Sequence, residues 1–316
     1  MPEHKASGQS LTALLANGQI RYGDPISFSG LALIPLFSSR RAPVDYILLA
    51  DAVRAGTTVI EEVGPGSVPM LRVVNGSERP VLIVEAEHVI GLKQNRALNA
   101  TILVPAKASL DVAVSCVEAH RWDSSLGAAQ PISPHVFARV RAHAVEAVTT
   151  SVRKTGMFRV DQKATWADLD TALGLLGARS PSMAMDVAYT QRASDFDHYV
   201  QNLPWQLGQT GVIAAVDGKI VCADLFDRPE TLRDLWGRLV PSYAVEAILK
   251  PQGPTLTAKD AEEFLLGALD AAVTEHPTVG LGINLRLSSD LLAGSALEFE
   301  GAILHLAIFR RVKRPS

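Results

Sequence analysis

Short apolar runs separated by turn-forming residues fill the chain from Gly30 to about Cys116. Their length and β-branched content are typical of strands, which we expect at 31–37, 57–63, 70–74, 81–87, 101–104 and 110–117. The stretch 44–54 instead has the periodicity of a helix. Residues 75–80 predict a hairpin turn between two of the strands. Pro35, which has no N–H to donate, predicts that the first strand is an edge or bulged strand.

The second half of the chain mixes helical periodicity with hairpin signals. Helices are predicted at 134–148, 165–176, 186–202 and 258–274, the second of them with Thr165 as its N-cap. The turn Asp217-Gly218 joins two apolar runs into the clearest hairpin of the chain, and strands at 280–287 and 301–309 finish it. The predicted fold class is therefore α+β: a β-rich antiparallel N-terminal half is followed by an α+β C-terminal half with hairpins and intervening helices.

A stretch rich in Ser, Gly, Ala and Pro, from Ser124 to Ser133, is typical of a connector. It divides the chain into an N-terminal lead segment (1–29), a β-rich region (30–123), a connector with helices (124–180) and an α+β region (181–316). One continuous domain from 30 to 316 is the alternative, because a chain of 316 residues can bury either one large core or two smaller ones.

The amino-acid composition excludes several classes of protein. Hydrophobic residues make up 47% and charged residues 20%, as in ordinary soluble proteins. A formal net charge of -3 supplies no basic face for nucleic acid, and the apolar runs are too short to cross a bilayer. The N-terminus has no secretory pattern and the chain has only two cysteines. We therefore expect a cytoplasmic protein with a small-molecule ligand and with neither nucleic acid nor a membrane as partner; the oligomeric state stays open.

The segment from Glu85 to Asn99 concentrates charged and amide side chains directly after an apolar strand. If the strand continues, Glu85 and Glu87 point to one face, because side chains alternate along a strand. Two carboxylates that close raise one another's pKa, which gives a site a proton donor and an acceptor. We predict that this pair is catalytic. A solvated ion-pair cluster at a strand end is the structural alternative.

The residues that follow the two acids suit the binding of a polar ligand. Lys93 and Arg96 are predicted to bind an anionic group such as phosphate. Gln94 and Asn99 add amide donors for a sugar or an amide.

A second group of candidates follows the last strand of the first half. Glu118 is a third candidate catalytic carboxylate, Arg121 a candidate ligand-binding cation, and Trp122 a ring on which a sugar or base stacks. Cys116 is expected to be a buried small hydrophobe. No cofactor or metal is assigned; a divalent metal on the three glutamates and His120 is the alternative to plain ion pairing.

These stretches resemble a bacterial family named the ARG- and rhodanese-phosphatase-superfamily-associated protein domain, where ARG stands for ADP-ribosylglycohydrolase. The resemblance spans roughly residues 30–249 and is densest in Arg79-Pro-Val-Leu-Ile-Val-Glu-Ala-Glu and Gly91-Leu-Lys-Gln-Asn-Arg-Ala-Leu-Asn. Further matching stretches are 30–37, 66–69, 104–106, 115–118, 121–122, 216–221, 224–226, 235–236 and 242–244. The family has a hydrophobic residue after the second carboxylate, where this chain has His88. The family is largely of unknown function, and its name implies an association with ADP-ribose and NAD chemistry.

Two functions follow as hypotheses. The first is an enzyme, a hydrolase of ADP-ribose-like or nucleotide-sugar-like substrates that uses the carboxylates as acid and base. The second is a non-catalytic module that binds a ligand or partner beside ADP-ribose-processing enzymes.

Overall fold

The computed structural model describes residues 8–16, 18–131, 133–248, 250–251 and 253–311. The first seven residues of the predicted lead segment lie outside these ranges. Within them the helices are α1 Gln9–Leu15, α2 Leu49–Arg54, α3 Ala138–Thr155, α4 Gln162–Leu176, α5 Asp186–Gln191, α6 Ala193–Asn202, α7 Pro229–Ala244 and α8 Ala258–Leu266. The α+β fold class is confirmed.

Most of the strands lie in two stretches of the chain, before α3 and after α6. They are β1 Ile20–Tyr22, β2 Ile26–Phe28, β3 Leu31–Ser38, β4 Ile47–Leu48, β5 Thr58–Glu62, β6 Met70–Asn75, β7 Val81–Ile83, β8 His88–Val89, β9 Arg96–Leu98, β10 Ile102–Val104, β11 Ala108–Cys116, β12 Gly211–Val216, β13 Lys219–Phe226, β14 Ala272–Pro277, β15 Ile283–Ser288, β16 Leu292–Phe299 and β17 Ala302–Arg310.

A nine-stranded sheet unites the two ends of the chain. Its order is β1-β3-β12-β13-β17-β16-β15-β14, with β2 also paired to β3. Alternate residues of β3 enter different cores: Leu31 and Leu33 pack with α3, α4 and α7 on one face, and Ile34 and Leu36 pack with α1 and α8 on the other. Helices thus cover both faces, which explains why the central strand β12 is continuously apolar.

Two smaller sheets pack beside this one. The five-stranded sheet has the order β5-β6-β11-β9-β8, and the three-stranded sheet has the order β10-β7-β4, in which β4 and β7 run parallel. They share a third apolar core that includes Leu71, Ile83 and Val112. The segment 85–99 follows β7 of the three-stranded sheet, contains β8 and β9 of the five-stranded sheet, and contributes side chains to two of the cores.

The structure corrects two strand predictions. The strands on either side of 75–80 do not form a hairpin: β6 pairs with β5 and β11, whereas β7 pairs with β4 and β10. The Asn75 side chain holds the intervening loop by donating to the carbonyls of Arg79 and Pro105, both at 2.9 Å. Pro35 lies in a strand with neighbours on both sides, opposite the break between β1 and β2, where its carbonyl accepts from Gly23 and no N–H is required.

Several helix boundaries also differ from the prediction. The helix predicted at 44–54 is a short strand followed by α2, and α3 begins at Ala138. Asp161, not Thr165, caps α4, because its carboxylate accepts the N–H groups of Lys163 and Ala164. The helix predicted at 258–274 ends at Leu266, and the chain then forms β14. The hairpin at Asp217-Gly218 is confirmed, with φ of 51° and 69° at the two turn residues. Across the described ranges, none of the helices is both long and apolar enough to span a bilayer.

Candidate functional site

A tight turn separates the two carboxylates that the sequence places side by side. Strand β7 ends at Ile83, and Ala86 has a φ of 65°, in the left-handed region. The Ala86 N–H donates to Leu98, and the Ala86 carbonyl accepts from Val136, so backbone contacts from two distant segments fix this conformation. The expectation that Glu85 and Glu87 share one strand face is therefore wrong, because the turn reverses the alternation between them.

Glu85 points into the space under α3. Its Oε2 accepts from the Ser295 hydroxyl at 2.8 Å and lies 3.5 Å from Arg286 Nη1, and the residue is only 4% exposed. The adjoining cavity, which is also lined by Arg141, has a volume of about 20 Å³. That volume admits one water and no substrate. The second oxygen of Glu85 has no hydrogen-bond partner among the described residues.

A chain of buried hydrogen bonds runs from the backbone N–H of Glu85 to the centre of the large sheet. The Glu85 N–H donates to the Thr101 hydroxyl at 3.0 Å, and that hydroxyl lies 2.7 Å from His305 Nδ1. His305 Nε2 lies 3.2 Å from Asp224 Oδ1. Arg141 donates to both oxygens of Asp224, at 2.6 and 3.0 Å. We call Glu85, Thr101, His305, Asp224 and Arg141 the central network.

The ionisation of Asp224 in the central network depends on its buried surroundings. Burial would raise the pKa of Asp224, but the charge of Arg141 and the hydrogen bonds from His305 and Arg141 outweigh it and hold that pKa well below its usual range. The Tyr243 hydroxyl also donates to Asp224, at 2.5 Å, and burial followed by the Asp224 charge raises the pKa of Tyr243. The ion pair is thus a permanent, fully desolvated structural element.

Sequence reasoning missed most of this network. Asp224 lies inside β13, opposite Ala307 of β17. The available signal was one charged or imidazole side chain within each of two apolar strands, at Asp224 and His305. Arg141 on the inward face of α3 was a third such signal.

Glu87 lies on the other side of the turn and is fully buried. Its Oε1 accepts from Arg238 Nη1 of α7 at 2.8 Å, and its Oε2 accepts the Val84 N–H at 2.9 Å. The next residue, His88, contacts the Ser133 hydroxyl through Nδ1 at 2.9 Å, and burial lowers its pKa to about 3. Both side chains tie the turn to neighbouring elements.

Glu118 is also committed to internal partners. Its carboxylate accepts from Arg121 at 2.8 Å and from the Asn95 N–H at 3.1 Å. Arg121 donates in addition to the carbonyls of Gly91, Leu92 and Asp123. This pair therefore holds the loop 91–95 against the segment that follows β11.

The same loop has a conformation that depends on glycine. Gly91 has a φ of 114°, and a Cβ there would lie 2.6 Å from the Ala128 carbonyl oxygen. Leu92 follows with a φ of 53°. The turn brings Lys93 to the surface, where its backbone N–H donates to Glu62 at 3.0 Å.

Lys93, Arg96 and Trp122 come together at this surface, as the sequence suggests. The Lys93 Nζ lies 5.6 Å and the Arg96 Cζ 5.4 Å from the centre of the Trp122 ring, which is 47% exposed. The Arg96 Nε donates to the Val68 carbonyl at 3.2 Å, and its Nη1 donates to Gln94 at 3.1 Å. We call the exposed Val68 and Trp122, the partly exposed Lys93, and the buried Gln94 and Arg96 beside them the tryptophan surface.

Arg96 has one donor that its surroundings leave unused. The residue is fully buried, and its Nη2 has no hydrogen-bond partner among the described residues. Burial lowers the pKa of Arg96, while the neighbouring Cys116 and Glu62 oppose that change. Burial also raises the pKa of the Cys116 thiol, which favours the unreactive protonated form.

The remaining candidates lie apart from the tryptophan surface. The Asn99 amide donates to the Phe158 carbonyl at 2.9 Å. Across the described ranges, no three His, Cys, Asp or Glu side chains are placed to hold a metal ion, so the glutamates and His120 do not assemble the alternative metal site.

Comparison with known proteins gives one match. A family model described as the ARG and Rhodanese-Phosphatase-superfamily-associated Protein domain matches residues 19–309. No curated protein and no solved structure matches the chain.

Proposed function

Because the chain belongs to the ARG and rhodanese-phosphatase-superfamily-associated domain family, we propose that it is a non-catalytic binding module that accompanies ADP-ribose-processing enzymes. Its ligand is a molecule with an anionic group and a flat ring, of the nucleotide or ADP-ribose class. The family name supports the association of the module with ADP-ribose-processing enzymes. The tryptophan surface supports the class of ligand.

One observation carries the proposal: a half-exposed indole has two cationic side chains within 6 Å of its ring. A base stacked on an aromatic side chain contributes about 1–3 kcal/mol. Lys93 supplies positive charge for phosphate oxygens beside that ring, and the buried Arg96 guanidinium adds positive charge beneath it. An indole with adjacent cations therefore suits both halves of a nucleotide.

The burial and the hydrogen-bond partners of the three glutamates favour a non-catalytic module over a hydrolase. A general acid or base must come within hydrogen-bond reach of its substrate. Glu87 and Glu118 are bound to arginine and to backbone N–H groups, and Glu85 borders a cavity with room for one water. These three side chains therefore support the structure of the chain rather than a reaction.

The test is calorimetric titration of the full chain with ADP-ribose. Trp122→Ala removes the stacking surface and is expected to weaken binding by about tenfold or more. Lys93→Ala removes one cation and is expected to weaken binding by a similar factor at low salt, with a smaller loss at high salt. The matched control is Lys259→Ala, which removes the same charge from α8, where Lys259 lies 3.7 Å from Glu263.

Two results would contradict the proposal. Equal affinity of the wild type, Trp122→Ala and Lys259→Ala would remove the tryptophan surface as the site. Release of product from ADP-ribose by the wild-type chain, detected by mass spectrometry and lost in Glu87→Gln, would favour the enzyme instead.

A further inference from the structure

A second cavity lies beside α3, and Val140 of that helix lines both this cavity and the small one next to Glu85. Its volume is about 210 Å³, and it is formed by the start of α3, the middle of α4 and the segment after α7. Its apolar lining consists of Phe137, Val140, Ala172, Leu175 and Val245. This volume is smaller than the roughly 300–1,000 Å³ of typical ligand pockets, and it suits a metabolite the size of an amino acid.

Acidic groups line the inner part of this pocket. Glu246 Oε1 is buried and has no hydrogen-bond partner among the described residues. Burial raises the pKa of Glu246, whereas the charges of Arg139, His143 and Lys250 and a hydrogen bond from the Arg139 backbone lower it. Asp168 also lines the pocket and holds His143 Nδ1 at 2.6 Å through one oxygen. A buried carboxylate oxygen without a donor costs stability, and a ligand that supplies a donor removes that cost.

Basic groups occupy the mouth of the pocket. Arg139 and Lys250 both line it and are both exposed to solvent. The pocket therefore combines a buried acceptor oxygen, apolar side chains and exposed cations in its lining. Two acids and two bases leave it close to neutral, so a ligand of high net charge of either sign fits poorly.

We propose that this pocket binds a small zwitterion with an apolar side chain, of the class of the free apolar amino acids. Its ammonium group donates to Glu246 Oε1, its side chain packs against the walls formed by Val140 and Leu175, and its carboxylate faces Arg139 and Lys250 at the mouth. This site is separate from the tryptophan surface, and it stands whether or not that surface binds a nucleotide.

The experiment compares three probes that share one phenyl body. L-phenylalanine carries both charges, 2-phenylethylamine only the ammonium, and 3-phenylpropionate only the carboxylate. Calorimetry on the full chain should give the tightest binding for L-phenylalanine, with each single-charge probe weaker by about tenfold. Glu246→Gln should reduce the affinity for L-phenylalanine and 2-phenylethylamine and leave that for 3-phenylpropionate unchanged. Lys250→Ala should reduce the affinity for the two carboxylates.

Two further variants test whether binding takes place in this pocket. Ala172→Phe fills the pocket from α4 and should abolish binding of all three probes. Glu230→Gln changes the same residue type in the first turn of α7, outside the pocket, and should change nothing. Absence of L-phenylalanine binding to the folded wild-type chain overturns the proposal. So does equal affinity for 3-phenylpropionate and L-phenylalanine, or binding that survives Ala172→Phe.

Discussion

The central network and the tryptophan surface contain the same kinds of residue but have different roles. In the central network, Arg141 and Asp224 have no exposed side-chain surface and satisfy each other with two hydrogen bonds. At the tryptophan surface, Lys93 and Arg96 flank a ring that is half open to solvent. The comparison shows that a cluster of charges and amides in a sequence does not reveal a function until burial and partners are known. Charges that are paired inside the protein support the fold, and a cation such as Lys93 beside a half-exposed ring can bind a ligand.

The largest expected effect comes from breaking the central network. Asp224→Ala leaves Arg141 as a buried charge without a counter-ion, which typically costs about 3–5 kcal/mol. The free energy of unfolding, measured in urea, should fall by that amount. The control is Asp111→Ala, which breaks a pair with Arg72 that is more than a third exposed, and we expect its effect to be near zero. A similar, small loss for both variants would contradict a structural role of the central network.

The second-largest expected effect is the loss of stability that His88 causes at acid pH. Burial lowers the pKa of His88 to about 3, against about 6.5 in an unfolded chain. Between these pH values the unfolded state binds a proton that the folded state does not, so His88 lowers stability as the pH falls below 6.5. Its contribution is about 1.4 kcal/mol per pH unit, or about 2 kcal/mol between pH 6.5 and 5.

His88→Gln isolates this contribution, because every other titrating group remains. The stability of the variant, measured in urea at several pH values, should fall less steeply below pH 6.5 than that of the wild type, whatever its stability at pH 7. Parallel curves would show that His88 is accessible to protons in the folded chain.

Local patterns predicted the fold well where neighbours in sequence decide the structure. The Asp217-Gly218 turn and the strands on either side of it depend on a few adjacent residues, and they were predicted correctly. The helix predicted at 258–274 failed at its end, because residues 272–277 form β14 and pair with β15, the next strand along the chain. Strand pairing outweighed helical periodicity there.

The candidate site was predictable only in part, and for a related reason. The cation–aromatic group of Lys93, Arg96 and Trp122 was visible as residue types. The separation of Glu85 from Glu87 was not, because it depends on Ala86 being held by Leu98 and Val136. The central network depends on β13 lying next to β17, which no local pattern encodes.

The smallest expected effect on stability comes from a change at the tryptophan surface. Trp122→Ala removes a half-exposed ring and two cation–aromatic contacts, so the free energy of unfolding should fall by about 1 kcal/mol or less. The same variant should lose most of its affinity for ADP-ribose, whereas Trp122→Phe, which keeps an aromatic face, should retain part of it. A loss of stability as large as that of Asp224→Ala would mean that Trp122 supports the fold, and the division between a supporting interior and a binding surface would then fail.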